Sequence, residues 1–366
     1  MKFSSRFLVN ISQRCLRTGL LVALLMSISV TLSAALPAGN AITDGRALLR
    51  YALPIDNQPV REIQSSLEDI TNQLRGKRWS PIASDVSKAS LILRDRTEKI
   101  LESVPDARKP QAQAIIDRLN AEIAKLREAV ETKNKDSILT ERSQLLAQIG
   151  ELQELMVNGF PFKVPAKYSN LAQLKGRATI DIKTSKGDIT VIVDGYSAPV
   201  TAGNFVDLVQ RGFYNGLEFT RSEESYVLQV GDPPGPEAGF IDPKTKKYRN
   251  VPLEVLVKGD KEPMYGITLE DAGRYTEQPV LPFSAYGTLA MARPEGEPDG
   301  GSSQFFFFLF EPELTPAGRN LLDGRYSVFG YLVEGKEVLQ QLRQGDKIES
   351  AKVVSGAENL VAPQAA

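Results

Sequence analysis

From residue 60 to residue 157, apolar side chains return every three, four or seven positions, the spacing of one buried helix face. The first stripe is Ile63, Leu67, Ile70 and Leu74; the second is Ile82, Val86, Leu93, Ile100 and Val104. A third, Ile115, Leu119, Ile123, Leu126 and Val130, opens with Pro110 at a first-turn position. The fourth, Ile138, Leu145, Ile149, Leu152 and Met156, stops at Asn158-Gly159, a good helix end. Breaks at 76–81, 105–110 and 133–136 are short enough to join antiparallel neighbours, so an all-α up-down helical bundle is predicted. Its charged faces, such as Glu122, Lys125, Arg127 and Glu128, read as solvated surface.

The stretch 160–176 carries Pro161 and Pro165 with no clear period and reads as a linker. Beyond it the period becomes two. Segments 178–183 and 188–194 read as strands joined by a turn at Ser185-Lys186-Gly187. A helix is expected from Pro199 to Arg211, with Phe205, Leu208 and Val209 on one face. Short strands are then expected at 217–221, 226–230, 287–292, 304–310, 326–332 and 346–354. Many short strands with Gly/Pro punctuation predict a closed antiparallel β-barrel. The resulting division is 42–158 for the bundle, 159–177 for the linker, 178–360 for the barrel with an insertion at 233–282, and a tail at 361–366. The insertion, rich in proline, is expected to be an ordered irregular loop with one strand near 251–257, contacting the bundle or shaping a groove.

Residues 1–41 differ from all of this. Lys2, Arg6, Arg14 and Arg17 precede an apolar run at 19–36 and then small residues, the order of a secretory signal peptide. Left uncleaved, the run 19–36 would associate the protein with a membrane. Its loss takes away four positive charges and no negative ones, changing the net charge from −1 to −5. A mildly acidic chain without basic blocks argues against nucleic acid as a partner.

Composition narrows the chemistry further. Among 366 residues there is no histidine and one cysteine, Cys15. Ser-His-Asp and Cys-His catalysis, histidine-held zinc or haem, and disulfides within the chain are therefore excluded. Arg, carboxylates, hydroxyls, backbone groups and shape remain, and no cofactor or metal is called for.

Four ordered segments carry the function: 198–205 (APVTAGNF), 219–221 (FTR) leading to 229–232 (QVGD), Met291-Ala292 leading to 301–306 (GSSQFF), and 321–330 (LLDGRYSVFG). Over about residues 178 to 355 they resemble the cyclophilin family of peptidyl-prolyl cis-trans isomerases. Together with 45–56 (GRALLRYALPID), the bundle, and 239–243 (GFIDP), the chain resembles the large two-domain thylakoid-lumen cyclophilins of cyanobacteria and chloroplasts. The resemblance implies a cyclophilin-like barrel with two helices, acting on proline-containing polypeptide clients as an isomerase and folding helper. It also implies a thylakoid-lumen or other exported location and clients among photosystem II subunits, for assembly or repair.

Such a reaction needs no histidine. It twists an amide against a barrier of about 18 to 20 kcal/mol, without proton transfer and without a covalent bond to the substrate. By resemblance Arg221 is the catalytic group, donating to the twisted prolyl amide and holding the substrate carbonyl. Tyr226, Val227, Phe306 and Leu322 would form the proline pocket, Gln229 and Gln304 its polar contacts, and Ala292 and Arg293 would lie beside the substrate backbone. Tyr326 is assigned to the same substrate site. Read locally, Arg221 could equally pair with Glu223 or Glu224, and Phe305 and Phe307 read as core, with Phe306 and Phe308 on the opposite face.

Several positions depart from the usual pattern. Leu321 stands where a tryptophan is familiar, Thr220 and Tyr326 where histidines are common, Tyr226 for a phenylalanine, Val230 for a glycine and Arg293 for an asparagine. Low or substrate-restricted turnover is therefore expected, and the bundle is expected to cover the pocket around Arg221 and Phe306 in part. The competing expectation is a non-catalytic assembly chaperone or scaffold that uses the barrel as a peptide-binding module.

Overall fold

A computed structural model of the chain describes residues 42–243, 245–310 and 320–363. The proposed signal segment, residues 1–41, lies outside them. Among the described residues no helix is long and apolar enough to cross a membrane.

The helical part begins with α1 (Gly45–Ala52), α2 (Gln58–Arg75), α3 (Trp79–Asp95), α4 (Thr97–Glu102), α5 (Lys109–Glu131) and α6 (Lys135–Met156). Every residue of the four apolar stripes is buried, and helices α2 to α6 share one core. Asn57 caps α2 by accepting from the Val60 amide (3.1 Å) while its own amide group donates to the Lys99 and Ile100 carbonyls. One residue therefore closes a helix end and ties it to α4. The second stripe belongs to two helices, since the chain breaks at Arg96 between α3 and α4. Helix α3 also starts two residues before Pro81, whose missing N–H falls in a first turn with no helical partner to lose.

The barrel part runs β1 (Gln173–Leu174), β2 (Arg177–Thr184), β3 (Gly187–Asp194), α7 (Pro199–Gln210), β4 (Phe219–Glu223), β5 (Val227–Val230), β6 (Glu254–Val255), β7 (Met264–Tyr265), β8 (Thr288–Met291), β9 (Phe305–Phe308), β10 (Val328–Glu334), α8 (Lys336–Leu339), β11 (Ile348–Ser355) and β12 (Leu360–Val361). Eight strands form one antiparallel sheet in the order β11-β2-β3-β10-β8-β9-β5-β4. Its two edges meet: Glu218 bridges Lys347, the Phe219 amide donates to the Asp346 carbonyl (2.8 Å) and the Ile348 amide to the Leu217 carbonyl (2.9 Å). The sheet thus curls on itself and closes as a barrel at this end, where residues 217–219 meet 346–348. The turn between β2 and β3 pairs Thr184 with Gly187, whose φ of 136° only glycine adopts without strain.

Inside the barrel, Phe305 and Phe307 join Phe205, Phe219 and Phe329 in an apolar core, with α7 covering it. A second apolar layer lies on the outer face of β8, β9 and β10. There Phe306, Phe308, Ala290, Val328 and Tyr331 meet Phe283 and the Leu48, Leu49 and Ala52 side chains of α1. The first helix therefore packs on the barrel, and its polar side reaches the bundle: Arg50 donates to Glu68 at 2.9 and 3.1 Å. Arg177 completes the junction. Its buried guanidinium bonds Asp194 (2.7 Å), Glu154 of α6 (3.3 Å) and the Leu49 carbonyl.

The insertion contains the strand expected near 251–257, as β6 paired with β7. Glu254, 1% exposed, accepts from the Val200 and Thr201 amides and the Thr201 hydroxyl at the start of α7. These donors and the helix dipole favour its charge. Burial outweighs them and pushes the carboxyl up to about 7.

Candidate active site

Strand alternation would put Arg221 on the same face as Phe219, inside the barrel. A β-bulge prevents this. Phe219 pairs with Val230 and Arg221 with Gln229, so Thr220 is an extra residue in β4 and the strand turns over there. Phe219 stays in the inner core while Arg221 reaches the outer face, half exposed. Gln229 then pairs with Phe306 across β5 and β9, and Phe306 with Ala290 across β9 and β8. Arg221, Gln229 and Phe306 form one cross-strand row, the spacing at which neighbouring side chains touch one substrate.

This row borders a cleft of about 330 Å³. Arg221, Tyr226, Val227, Gln229, Ala292, Arg293, Gln304, Phe306, Leu322 and Tyr326, all ten residues singled out in the sequence, line it. Phe306 is the buried floor, stacked on Phe283 (6.1 Å, 10° between planes) and met edge-on by Tyr326 (5.4 Å, 90°). Gln304 is tied down on three sides: its carbonyl oxygen accepts from Gln229 (2.7 Å), and its amide group donates to the Ala238 carbonyl (2.8 Å) and to Asp232 (3.2 Å). Leu322 is placed by its amide donating to Asn320 Oδ1 (3.0 Å), within a loop whose Asp323 accepts from the Phe283 amide.

The two guanidiniums of the cleft differ. Arg221 donates to Glu223 from Nε (2.7 Å), and its Nη2 lies 2.5 Å from the same carboxylate oxygen in the ion pair. The local surface pair and the cleft position are thus both present in one side chain. Arg293 donates from Nε to the Arg325 carbonyl and from Nη1 to the Pro294 carbonyl, both at 3.0 Å, and lies 5.3 Å from the centre of the Tyr326 ring.

Five further residues line the cleft: Ala238, Tyr248, Pro294, Gly300 and Ser302. The first two come from the insertion. Buried Arg249 holds that segment to α7 by donating to Asp207 (2.7 Å) and Asn204 (3.1 Å) while lying over Phe240. Ser302 accepts from the Phe240 amide (3.0 Å), and a β-carbon at Gly239 would overlap both Ser302 and the Tyr248 hydroxyl. No motif announces these contacts; the glycine in 239–243 was the nearest signal. The expectation that the bundle covers the pocket is corrected here. No residue of α2 to α6 is among the described lining, because the apolar side of α1 takes up the outer face next to the cleft instead.

Comparison with known proteins decides the family of the chain. Residues 179–358 match the family model described as cyclophilin type peptidyl-prolyl cis-trans isomerase, and residues 44–157 the PsbQ-like domain model of CYP38-like peptidyl-prolyl cis-trans isomerases. A Synechocystis protein named as a thylakoid lumen peptidyl-prolyl cis-trans isomerase is 57% identical over 365 residues, 96% of each chain. The chain belongs to the cyclophilin-type peptidyl-prolyl cis-trans isomerases. This cyclophilin is also 47% identical to the chloroplastic isomerase CYP38 of Arabidopsis thaliana, over 89% of its own length and 77% of that protein. Its barrel alone is 33% identical to a Helicobacter pylori isomerase, over 49% of this chain and 88% of the bacterial one. Both halves of the cyclophilin therefore have counterparts together in one chain, and the barrel also has counterparts without the bundle.

Proposed function

We propose that the cleft binds a proline-containing segment with the prolyl ring on Phe306, against Val227, Leu322 and Tyr226, and that Arg221 is the catalytic residue. The observation that supports this most is the cross-strand row Arg221, Gln229, Phe306 beside one cavity. Glu223 takes the Nε–H of Arg221 and lies beside Nη2, which leaves other N–H groups of the five for a substrate carbonyl and the twisted amide nitrogen. Glu223 fixes the fork before substrate arrives, so less rotamer freedom is lost on binding.

Magnitudes divide the work. Bringing an event of tens of seconds to milliseconds takes roughly 10^4-fold, about 5.5 kcal/mol. A charge-assisted hydrogen bond supplies about 1.5 to 3 kcal/mol. The floor and its aromatic support supply the rest by holding the ring while the preceding carbonyl swings. Arg221→Ala in the full chain should lower kcat/KM on a proline peptide roughly 10- to 100-fold. A change below twofold would remove Arg221 from the role.

By analogy with the relative named as a thylakoid lumen isomerase, the protein works in that compartment, and the PsbQ-like match of its helical domain is what supports photosystem II subunits as its clients during assembly or repair. The ion pair with Glu223 favours one competing reading, in which the guanidinium is structural and the cleft only binds peptide. Complementation separates the two. A strain carrying Arg221→Ala that assembles photosystem II at the wild-type rate would leave only the binding reading.

A further inference from the structure

The two cleft guanidiniums are not electrically equivalent. Arg221 shares a carboxylate with Glu223, whereas Arg293 has no ion pair among the described residues, and Glu295, Glu297 and Asp299 on its own loop make none with it. Its partners are two carbonyls and an aromatic ring, which hold the group in place without cancelling its charge. Two of its five N–H donors are used, so three remain for a ligand. Arg325, whose carbonyl Arg293 holds, has its own guanidinium paired with Glu270. A pinned, unpaired guanidinium lining a cleft is built to receive an anion.

Distance says where that anion sits on the substrate. Arg293 lies 5.3 Å from the Tyr326 ring, and that ring lies 5.4 Å from Phe306. The charge is thus within two ring spacings of the proline floor, the reach of one to three residues of an extended peptide at about 3.3 Å each. We infer that Arg293 selects clients carrying an acidic side chain one to three residues from the isomerised proline. The inference rests on the cleft being the substrate site, and it assigns that site a substrate class.

The test is a peptide series with Glu, Ala or Lys at each of the three positions on either side of one proline, assayed with the full chain. At low salt, kcat/KM for the best Glu peptide should exceed that of its Lys counterpart by roughly fivefold, and the ratio should shrink towards one as salt rises. Arg293→Asn should bring the Glu/Lys ratio near one, Arg293→Lys should keep much of it, and Arg293→Glu should invert it, whatever the absolute rates. A Glu/Lys ratio of one in the wild type, or an unchanged ratio in Arg293→Asn, overturns the inference. If no peptide is turned over, the catalytic reading fails by itself, and fluorescence anisotropy of the same labelled peptides decides this one. Tighter binding of the Glu peptide that is lost in Arg293→Asn supports it, and equal dissociation constants overturn it.

Discussion

The bundle and the barrel both bury continuous apolar cores, but they use the faces of their elements differently. In α2 to α6 each helix has one apolar stripe, and that stripe is consumed in a single core. Each strand of the barrel has two faces, and β9 makes both apolar: Phe305 and Phe307 point into the barrel, Phe306 and Phe308 into a second layer outside it. Helix α1 and Phe283 cover much of that layer, and the uncovered margin at Phe306 becomes the cleft floor. The lesson is that the site arises where an outer apolar face is left partly open. The bundle spends its apolar stripes in its own core and is joined to the barrel by polar links, from Arg50 of α1 to Glu68 and from Arg177 of β2 to Glu154.

Removing that support should have the largest effect. Arg177→Ala leaves the fully buried Asp194 carboxylate with Ser197 as its one side-chain hydrogen-bond partner among the described residues. It should cost about 3 to 5 kcal/mol in denaturant unfolding, and a loss under 1 kcal/mol would show that the bundle and barrel are independent. Leu119→Ala, in the middle of the bundle core, should cost about 2 to 5 kcal/mol and leave kcat/KM under native conditions within twofold. A parallel fall in turnover would break the division of labour drawn above.

The insertion gives the comparison a pH dependence. Burial pushes the Glu254 carboxyl up to about 7 in the fold from an ordinary value of 4.5, so between those pH values the folded state keeps a proton that the unfolded chain has released. Stability therefore falls as pH rises from about 4.5 to 7, by an amount on the order of 3 kcal/mol. Glu254→Gln should flatten that part of a melting-temperature profile; a variant with the wild-type slope would assign the effect to another group. The peptide-series and Arg221→Ala measurements above complete the contrast, since both act at the barrel's outer face alone.

Much of this was legible in the chain because it is local. The stripes Ile63 to Met156 needed only the helical period, and the alternation of Phe305 to Phe308 only the strand period. The ten cleft residues came from the cyclophilin resemblance that the ordered motifs carry, and their convergence on one cavity rests on long-range strand pairing. Nothing local foretold that the second stripe would break at Arg96, that α1 would leave the bundle for the barrel, or that Tyr248 would reach the cleft. These depend on partners dozens of residues away, such as Arg249 on Asp207 and Arg177 on Glu154.

By itself, then, the sequence determined the kind of chemistry. Without histidine, and with an arginine among the barrel motifs, a reaction that only twists an amide was the reading that fitted. Tertiary structure alone decided the aim and the charge of the site. The bulge at Thr220 turned Arg221 outward against the strand period, and Glu223 pairs with that guanidinium whereas Arg293 has no ion pair among the described residues. Periodicity is a property of neighbours along the chain, whereas ion pairing and strand register are properties of neighbours in space.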